Sequence, residues 1–375
     1  MHLHLPPRSV AFQAEVRDWL AGNVPVEPLP PVDTADGFAA HRDWEQCLAE
    51  ARLSVVTWPA AYGGRDCSAL EWLLFEEEYH AAGAPVRVGQ NGLFLLAPTL
   101  FAHGTAEQRD RLLPRMADAR DVWAQAWSEP EAGSDLAAIR STGVRADGGW
   151  LLSGQKTWSS RAAFADKAFG LFRTDPAAHR HRGLTYVMFD LHAPGVTVRP
   201  IRQLSGEPGF AEIFLDGVYV PDADVIGEPG DGWRIAMSTA GHERGVTLRS
   251  PGRFTAAARR LLRLWREAGE PVEFRDRVTD AWIAAQAYQL HAFAALSRVD
   301  PPPVGAASMT KVFWSELDIR LHETALDLLG PRAELAGQWM DGYLFALAGP
   351  IYAGTNEIQR TVIAERLLGL PREAR

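Results

Sequence analysis

Cysteine is nearly missing from this chain of 375 residues: Cys47 and Cys67 stand far apart and outside any CxxC or Cys/His spacing. That excludes a disulfide framework and a cysteine-ligated zinc site, and predicts two free thiols in a reducing compartment. Blocks of Lys and Arg are also missing, as is any interleaving of basic and aromatic residues; the formal charge of −9 is spread over short mixed runs. Nucleic acid is therefore not an expected partner. No apolar run reaches the roughly 18 residues that span a bilayer. The opening MHLHLPPRSV lacks a basic segment followed by an apolar core, so the expectation is a cytoplasmic protein with no membrane partner. No GxGxxG follows a strand-like run, and no Walker A, GxSxG or HExxH occurs. These absences argue against a Rossmann nicotinamide site, a kinase, a serine hydrolase and a zinc protease.

What is present is a globular composition, 47% apolar and 23% charged, enough for a large core divided into two or three domains. From Ser9 to about Arg120 the apolar spacing is helical, broken by Pro and Gly at Pro25 to Pro31 and Trp58 to Gly64. Ser68 three residues before Glu71, and Thr105 three before Gln108, predict capping-box helix starts. Pro114 should kink or end the second of these helices. From about Trp123 to Val220 the period changes to two. The runs Ile139–Ala146, Trp150–Lys156, Ala168–Arg173, Leu184–Leu191, Val196–Arg202 and Ala211–Val220 read as short strands, the first two joined by an Asp147-Gly148-Gly149 turn. Strands of this kind suit an antiparallel barrel or sandwich. After Gly232 the helical period returns over roughly 233–267, 273–299, 305–329 and 333–368, the last with a break near Gly349. The expected organisation is α+β: an all-α domain over 1–120, a β domain over 121–228 and a four-helix bundle over 229–375.

The most informative stretch is Ile351 to Leu370. Gly354 permits a tight turn, Thr355 or Asn356 can cap a helix, and Ile358, Val362, Ile363, Leu367 and Leu368 recur at helical spacing. A loop feeding a helix N-terminus suits an anion or a polarised carbonyl. An ordinary amphipathic helix gives the same pattern. Three runs decide between them: AQAWSEPEAGSD at Ala124–Asp135, GQKTWSS at Gly154–Ser160 and IYAGTNEIQR at Ile351–Arg360, with weaker support from YGG at Tyr62–Gly64 and HGTAEQ at His103–Gln108. In this order they resemble the acyl-CoA dehydrogenase family, with Ser128 where the family's TEPxAGSD run has threonine.

The resemblance implies FAD, and the residues suit it. A flavin that accepts hydride needs hydrogen-bond donors around the ring and an apolar or aromatic wall. Ser128 and Ser160 can supply hydroxyls, Trp158 can wall the ring and Trp127 can border the same cavity, although tryptophans at these spacings also read as core. Gln125, Gly133, Ser134 and Ser159 fall in the same implied flavin segments, with Ser134 touching ligand. Thr355, Asn356 and Glu357 form the second flavin-contacting segment of the resemblance.

The implied reaction is α,β-dehydrogenation of an acyl-CoA or acyl-carrier-protein thioester. It needs a carboxylate for the α-proton and donors at the thioester oxygen. Much of the family carries that carboxylate between the Tyr and Gly of the C-terminal loop, where this chain has Ala353. A minority carry it on the first helix of the C-terminal bundle, and there Glu243 falls at the matching position with the family-type Arg244 beside it. Apolar neighbours Ala236, Met237 and Ala240 predict a raised pKa for Glu243 by desolvation; the same glutamate also reads as a solvated helix residue. The backbone of Ala353, next to Gly354, can still serve the thioester oxygen, and the acyl pocket is expected near Val88 to Pro98. Implied partners are an electron-transfer flavoprotein or similar acceptor and further copies of the chain in a homo-oligomer, dimer or tetramer. Two departures bear on the latter: SPGRFTAAARRLL at Ser250–Leu262 lacks an Arg-x-x-Phe-Gly segment, and Leu328-Leu329-Gly330-Pro331 replaces a Gly-Gly segment. The competing readings are an oxygen-using flavin oxidase or monooxygenase of the same fold and a non-catalytic subunit.

Overall fold

The computed structural model describes residues 4–243, 249–296 and 305–372. Helices α1 (Pro7–Asn23), α2 (Ala35–Glu50), α3 (Ala69–Ala81), α4 (Ala97–His103) and α5 (Ala106–Ala117) come first. Strands β1 (Trp123–Ala126), β2 (Thr142–Ala146), β3 (Gly149–Ser160), β4 (Lys167–Arg173), β5 (Leu184–Asp190), β6 (Val196–Ile201), β7 (Phe210–Pro221) and β8 (Val225–Ile226) follow. Helices α6 (Gly232–Glu243), α7 (Pro251–Glu267), α8 (Arg275–Leu296), α9 (Ala306–Leu329), α10 (Gln338–Leu347) and α11 (Asn356–Val362) complete the chain. The contacts sort these into two compact units, one made of Val26–Asp66 and Pro85–Glu243, the other of Met1–Pro25, Cys67–Ala84 and Arg244–Arg375.

The first unit is built on a mixed sheet ordered β6-β7-β3-β2-β4-β5-β8, with β1 added on β4. The expected antiparallel pairing holds for β2–β3, β3–β7, β4–β5, β5–β8 and β6–β7. β1 and β2 instead run parallel to β4. Parallel partners cannot be joined by a tight turn: the chain passes from β1 through β2 and β3 before it reaches β4, and from β2 through β3. Alternating residues of the sheet, among them Ala124, Leu152, Phe172, Val187, Phe189, Ile213 and Val218, form one buried cluster. On α5 and α6 polar groups are spent on fixing position. Gln108, the capping-box partner of Thr105, also donates to the Val225 carbonyl at 2.7 Å, and Thr239 on α6 meets Thr99 on α4 at 2.7 Å. Pro114 sits inside α5, which ends one turn later.

The second unit is helical. Phe254, Leu261, Tyr288, Trp314, Leu317 and Leu321 fill the core between α7, α8 and α9. α3 starts with the Ser68–Glu71 capping box and packs against α7 so closely that a Cβ on Gly252 would lie 2.7 Å from the Glu76 carbonyl oxygen. α1 is fastened to α3 through Glu78, which accepts from Gln13 at 2.7 Å and from Arg17. The helix expected over 233–267 is two helices, α6 and α7. The start of α7 carries Ser250 as N-cap, accepting from Gly252, and Pro251 in the first turn, as helix starts favour. Among the described residues no helix is long and apolar enough to cross a membrane.

Candidate functional site

The site residues expected from the sequence divide between the two units. In the sheet unit, β1 runs out into Trp127 and Ser128, after which Glu129 and Ala132 exchange backbone hydrogen bonds of 3.0 Å across a tight turn. Gly133 and Ser134 follow, exposed. Thr157 on β3 donates its backbone N–H to the Ser128 carbonyl at 2.9 Å, which brings the Ala124–Asp135 and Gly154–Ser160 runs side by side.

Beneath that junction is an ion pair to which the sequence reading assigned no role. Lys156 is fully buried and donates to Glu129 at 2.8 Å and to the Leu171 carbonyl at 2.7 Å, with the Phe172 ring 4.8 Å away. The Glu129 carboxylate also accepts the backbone N–H groups of Arg140 at 2.6 Å and Ser141 at 2.9 Å. Burial alone would raise the Glu129 carboxyl, but the Lys156 charge and these donors hold it below its ordinary value. Burial pulls the Lys156 ammonium down to about 8, opposed by Glu129. The only trace of this pair in the sequence is opposite charge in the two motif runs: Glu129 is one of three acidic residues in the first, and Lys156 is the one charged residue of the second.

β3 then bulges. Lys156 pairs with Ile213 and Ser159 with Ala211, so two residues of β3 oppose one of β7. Trp158 sits at this bulge with φ 59°, a left-handed conformation that costs a bulky residue energy and tends to be kept where it serves a site. Its indole is 59% exposed and edge-on to Phe210 at 5.9 Å. Trp127, by contrast, is buried and edge-on to Tyr186 at 6.3 Å, with its indole nitrogen unpaired. Ser159 is fully buried with its hydroxyl unpaired, while Gln125, Ser128 and Ser160 are half-buried. An exposed flat wall, unpaired buried donors and half-buried hydroxyls on one junction fit the donor set that a flavin ring requires.

In the same unit the segment expected to line an acyl pocket, Val88 to Pro98, contains Gly89, whose backbone N–H is clamped by both carboxylate oxygens of Glu45 at 3.0 Å. Burial raises the Glu45 carboxyl to about 7 against the opposing Gly89 bond and Arg87 charge. A π-turn over Gly92–Leu96, all buried, precedes α4, and such turns are frequent at functional sites. Glu243 is the last residue of α6; its side chain, like the whole of Arg244, lies outside the described residues. Of the neighbours expected to wall it, Ala236 and Ala240 are buried, whereas Met237 is 40% exposed. The 3.6-residue period turns Met237 away from the face that Ala236 and Ala240 share.

In the helical unit the loop before α11 turns through two successive left-handed residues, Ala353 at φ 57° and Gly354 at φ 81°. The Asn356 N–H closes the turn on the Pro350 carbonyl at 2.8 Å, and Thr355 caps α11 by accepting from Ile358. The Asn356 side chain is buried, its oxygen accepting from Lys311 at 2.8 Å and Ser315 at 3.1 Å. Gln359, also buried, donates to the Ala353 carbonyl at 3.3 Å. Glu357 is exposed, and its carboxyl is held low by its own N–H and the Thr355 hydroxyl at the helix start.

Comparison with known proteins matches this arrangement along the whole chain. Models of the acyl-CoA dehydrogenase N-terminal, middle and C-terminal domains match residues 6–120, 124–218 and 230–368. Acyl-CoA dehydrogenase IpdE1 of Mycobacterium tuberculosis (strain ATCC 25618 / H37Rv) is 41% identical over 97% of this chain and 98% of its own length. Among solved structures, one titled "Tcur3481-Tcur3483 steroid ACAD" is similar with a TM-score of 0.89 at 26% identity over 100% of both chains. The ChsE4-ChsE5 complex from Mycobacterium tuberculosis is similar with a TM-score of 0.85 at 28% identity, again over 100% of both chains.

Proposed function

The chain belongs to the acyl-CoA dehydrogenase family, and from that premise we propose that it desaturates an acyl thioester between Cα and Cβ, with Glu243 as the base that takes the α-proton. The observation that carries the base assignment is the pair of positions at which the family keeps its carboxylate: Ala353 has none to offer, and Glu243 ends α6. Bound FAD supplies the acceptor for the hydride that leaves Cβ.

The chain's own residues do the rest. Trp158 walls the ring, Ser128 and Ser160 present hydroxyls, and Gly133, Ser134, Thr355, Asn356 and Glu357 hold the cofactor through loop backbone and the start of α11. Burial of its side chain gives Asn356 the work of fixing that loop. The Ala353 N–H donates to the thioester oxygen, where negative charge grows as the α-proton departs. Arg244 is assigned to the substrate by the family resemblance, and electrons leave to an electron-transfer flavoprotein or similar acceptor. In anaerobic titration with acyl-CoAs the wild-type flavin spectrum should bleach. Glu243→Gln should keep its flavin and fail to bleach; full reduction of that variant would remove Glu243 as the base. Rapid reoxidation of the reduced protein in air would favour an oxidase of the same fold.

A second reading concerns the acyl group and the partner chain. One solved neighbour is titled the ChsE4-ChsE5 complex and another, under the paired name Tcur3481-Tcur3483, a steroid ACAD, and this chain replaces the Arg-x-x-Phe-Gly and Gly-Gly segments. Together these favour a polycyclic acyl group and a different chain completing the cofactor site. A chain that alone forms a dimer or tetramer with one FAD per subunit would restore the homo-oligomer.

A further inference from the structure

Arg249, in the helical unit, is fixed at its backbone and unsatisfied at its tip. Its carbonyl accepts from the Tyr288 hydroxyl at 2.6 Å, and the next residue, Ser250, caps α7. The guanidinium carbon lies 5.0 Å from the centre of the Tyr352 ring and 5.5 Å from that of Trp314. Those rings stack on each other at 5.9 Å with 29° between their planes, and Trp314 is fully buried.

Contact with aromatic faces fixes a guanidinium but leaves its N–H edge unused. Among the described residues that edge meets no carboxylate, whereas Arg253, one turn along, binds Asp318 at 2.6 Å. The Arg249 Nε is buried without an acceptor, and so is the Tyr352 hydroxyl. Tyr352 immediately precedes Ala353 and Gly354, the residues assigned above to the thioester. A cation held on aromatic rings, with donors unspent and a phenol beside it, is suited to a carboxylate.

We propose that Arg249, with the Tyr352 hydroxyl, binds a carboxylate carried by the acyl group itself, so that the preferred thioesters are those of dicarboxylic acids or of ring acids bearing a second carboxyl. This rests on the acyl-thioester reading above. The other oxyanion that the same chemistry would accept is a phosphate of the cofactor.

The test takes the holoprotein and its Arg249→Leu and Arg249→Lys variants with pairs of acyl-CoAs of equal length, one ending in carboxylate and one uncharged. Within each protein the quantity read is the ratio of kcat/KM for the charged over the uncharged member, so that general damage cancels. Wild type should favour a charged member. The ratio should fall roughly 30- to 100-fold in Arg249→Leu, mainly through KM, and recover in part in Arg249→Lys. A wild type with no such preference at any length overturns the proposal, as does a ratio that Leu leaves in place. Loss of FAD from Arg249→Leu with an unchanged ratio places the oxyanion on the cofactor and also overturns it. Should wild type turn over no acyl-CoA, the dehydrogenase reading fails separately, and calorimetric binding of the same pairs to wild type and variants decides the role of Arg249. Should the Leu variant not fold, Arg249→Gln replaces it in the same comparison.

Discussion

Each group of site residues is fastened by a fully buried lysine, and the two lysines meet different acceptors. Under the sheet loop, Lys156 meets the Glu129 carboxylate at 2.8 Å; behind the C-terminal loop, Lys311 meets the neutral amide oxygen of Asn356 at the same distance. A carboxylate attracts an ammonium more strongly than an amide does, but it brings a second charge to be desolvated. Glu129 offsets that cost with the backbone N–H groups of Arg140 and Ser141, and Lys156 with the Leu171 carbonyl. The ion pair thereby ties β3, β4 and the start of β2 to the turn after β1. The amide joint ties α9 to α11, with Ser315 taking the remaining capacity of its oxygen.

That contrast can be broken most forcefully at Lys156. Lys156→Met strands the Glu129 carboxylate and should cost about 3–5 kcal/mol, with loss of flavin, in denaturant titration of the holoprotein. The double variant with Glu129→Gln should cost clearly less than the sum of the singles; strict additivity would show that the two groups do not act as a pair.

Glu45 gives a pH test in the same unit. Its raised carboxyl, about 7 against 4.5, means the folded protein keeps a proton that the unfolded chain has released. The resulting stability is complete below the unfolded value and is lost as pH rises through the folded one. Relative to Glu45→Gln, wild type should weaken by at most about 3 kcal/mol between about pH 5 and pH 8, and a flat difference would contradict the assignment.

Asn356→Ala removes the acceptor of the amide joint and should cost about 1–3 kcal/mol, less than the change at Lys156. An equal or larger loss would reverse the ranking of the two joints. The smallest effect belongs to Gly354→Ala, about 1 kcal/mol from side-chain strain at φ 81°. It should appear as a slightly lower melting temperature of the holoprotein.

Local chemistry was legible in the sequence. The capping boxes at Ser68 and Thr105, the cap at Thr355 and most strand positions depend on residues a few places apart, and the structure has them. Pairing between distant segments was not legible. The parallel placement of β1 and β2 on β4 depends on where the chain returns. The bulge at Trp158 depends on register with β7, and the Glu129–Lys156 pair joins residues from two motifs that each look complete alone. The division between α6 and α7 could have been read, since Ser250-Pro251 is a helix start in its own right; the apolar spacing on either side concealed it.

The interleaving of the two units has a consequence for how the protein is made. Synthesis delivers α1 and α3 early, yet the helix that α3 packs against, α7, begins only at Pro251. Until the ribosome has passed that point, Glu76 and Gly252 cannot meet, and the apolar face of α3 waits exposed between two stretches that belong to the sheet unit. The sheet unit, complete at Glu243, is free to fold first during translation. A nascent chain stalled once residue 243 has left the ribosome, with α7 still inside it, should therefore protect the strands from protease while leaving α1 and α3 open to cleavage, and these two helices are where a chaperone would find its hold.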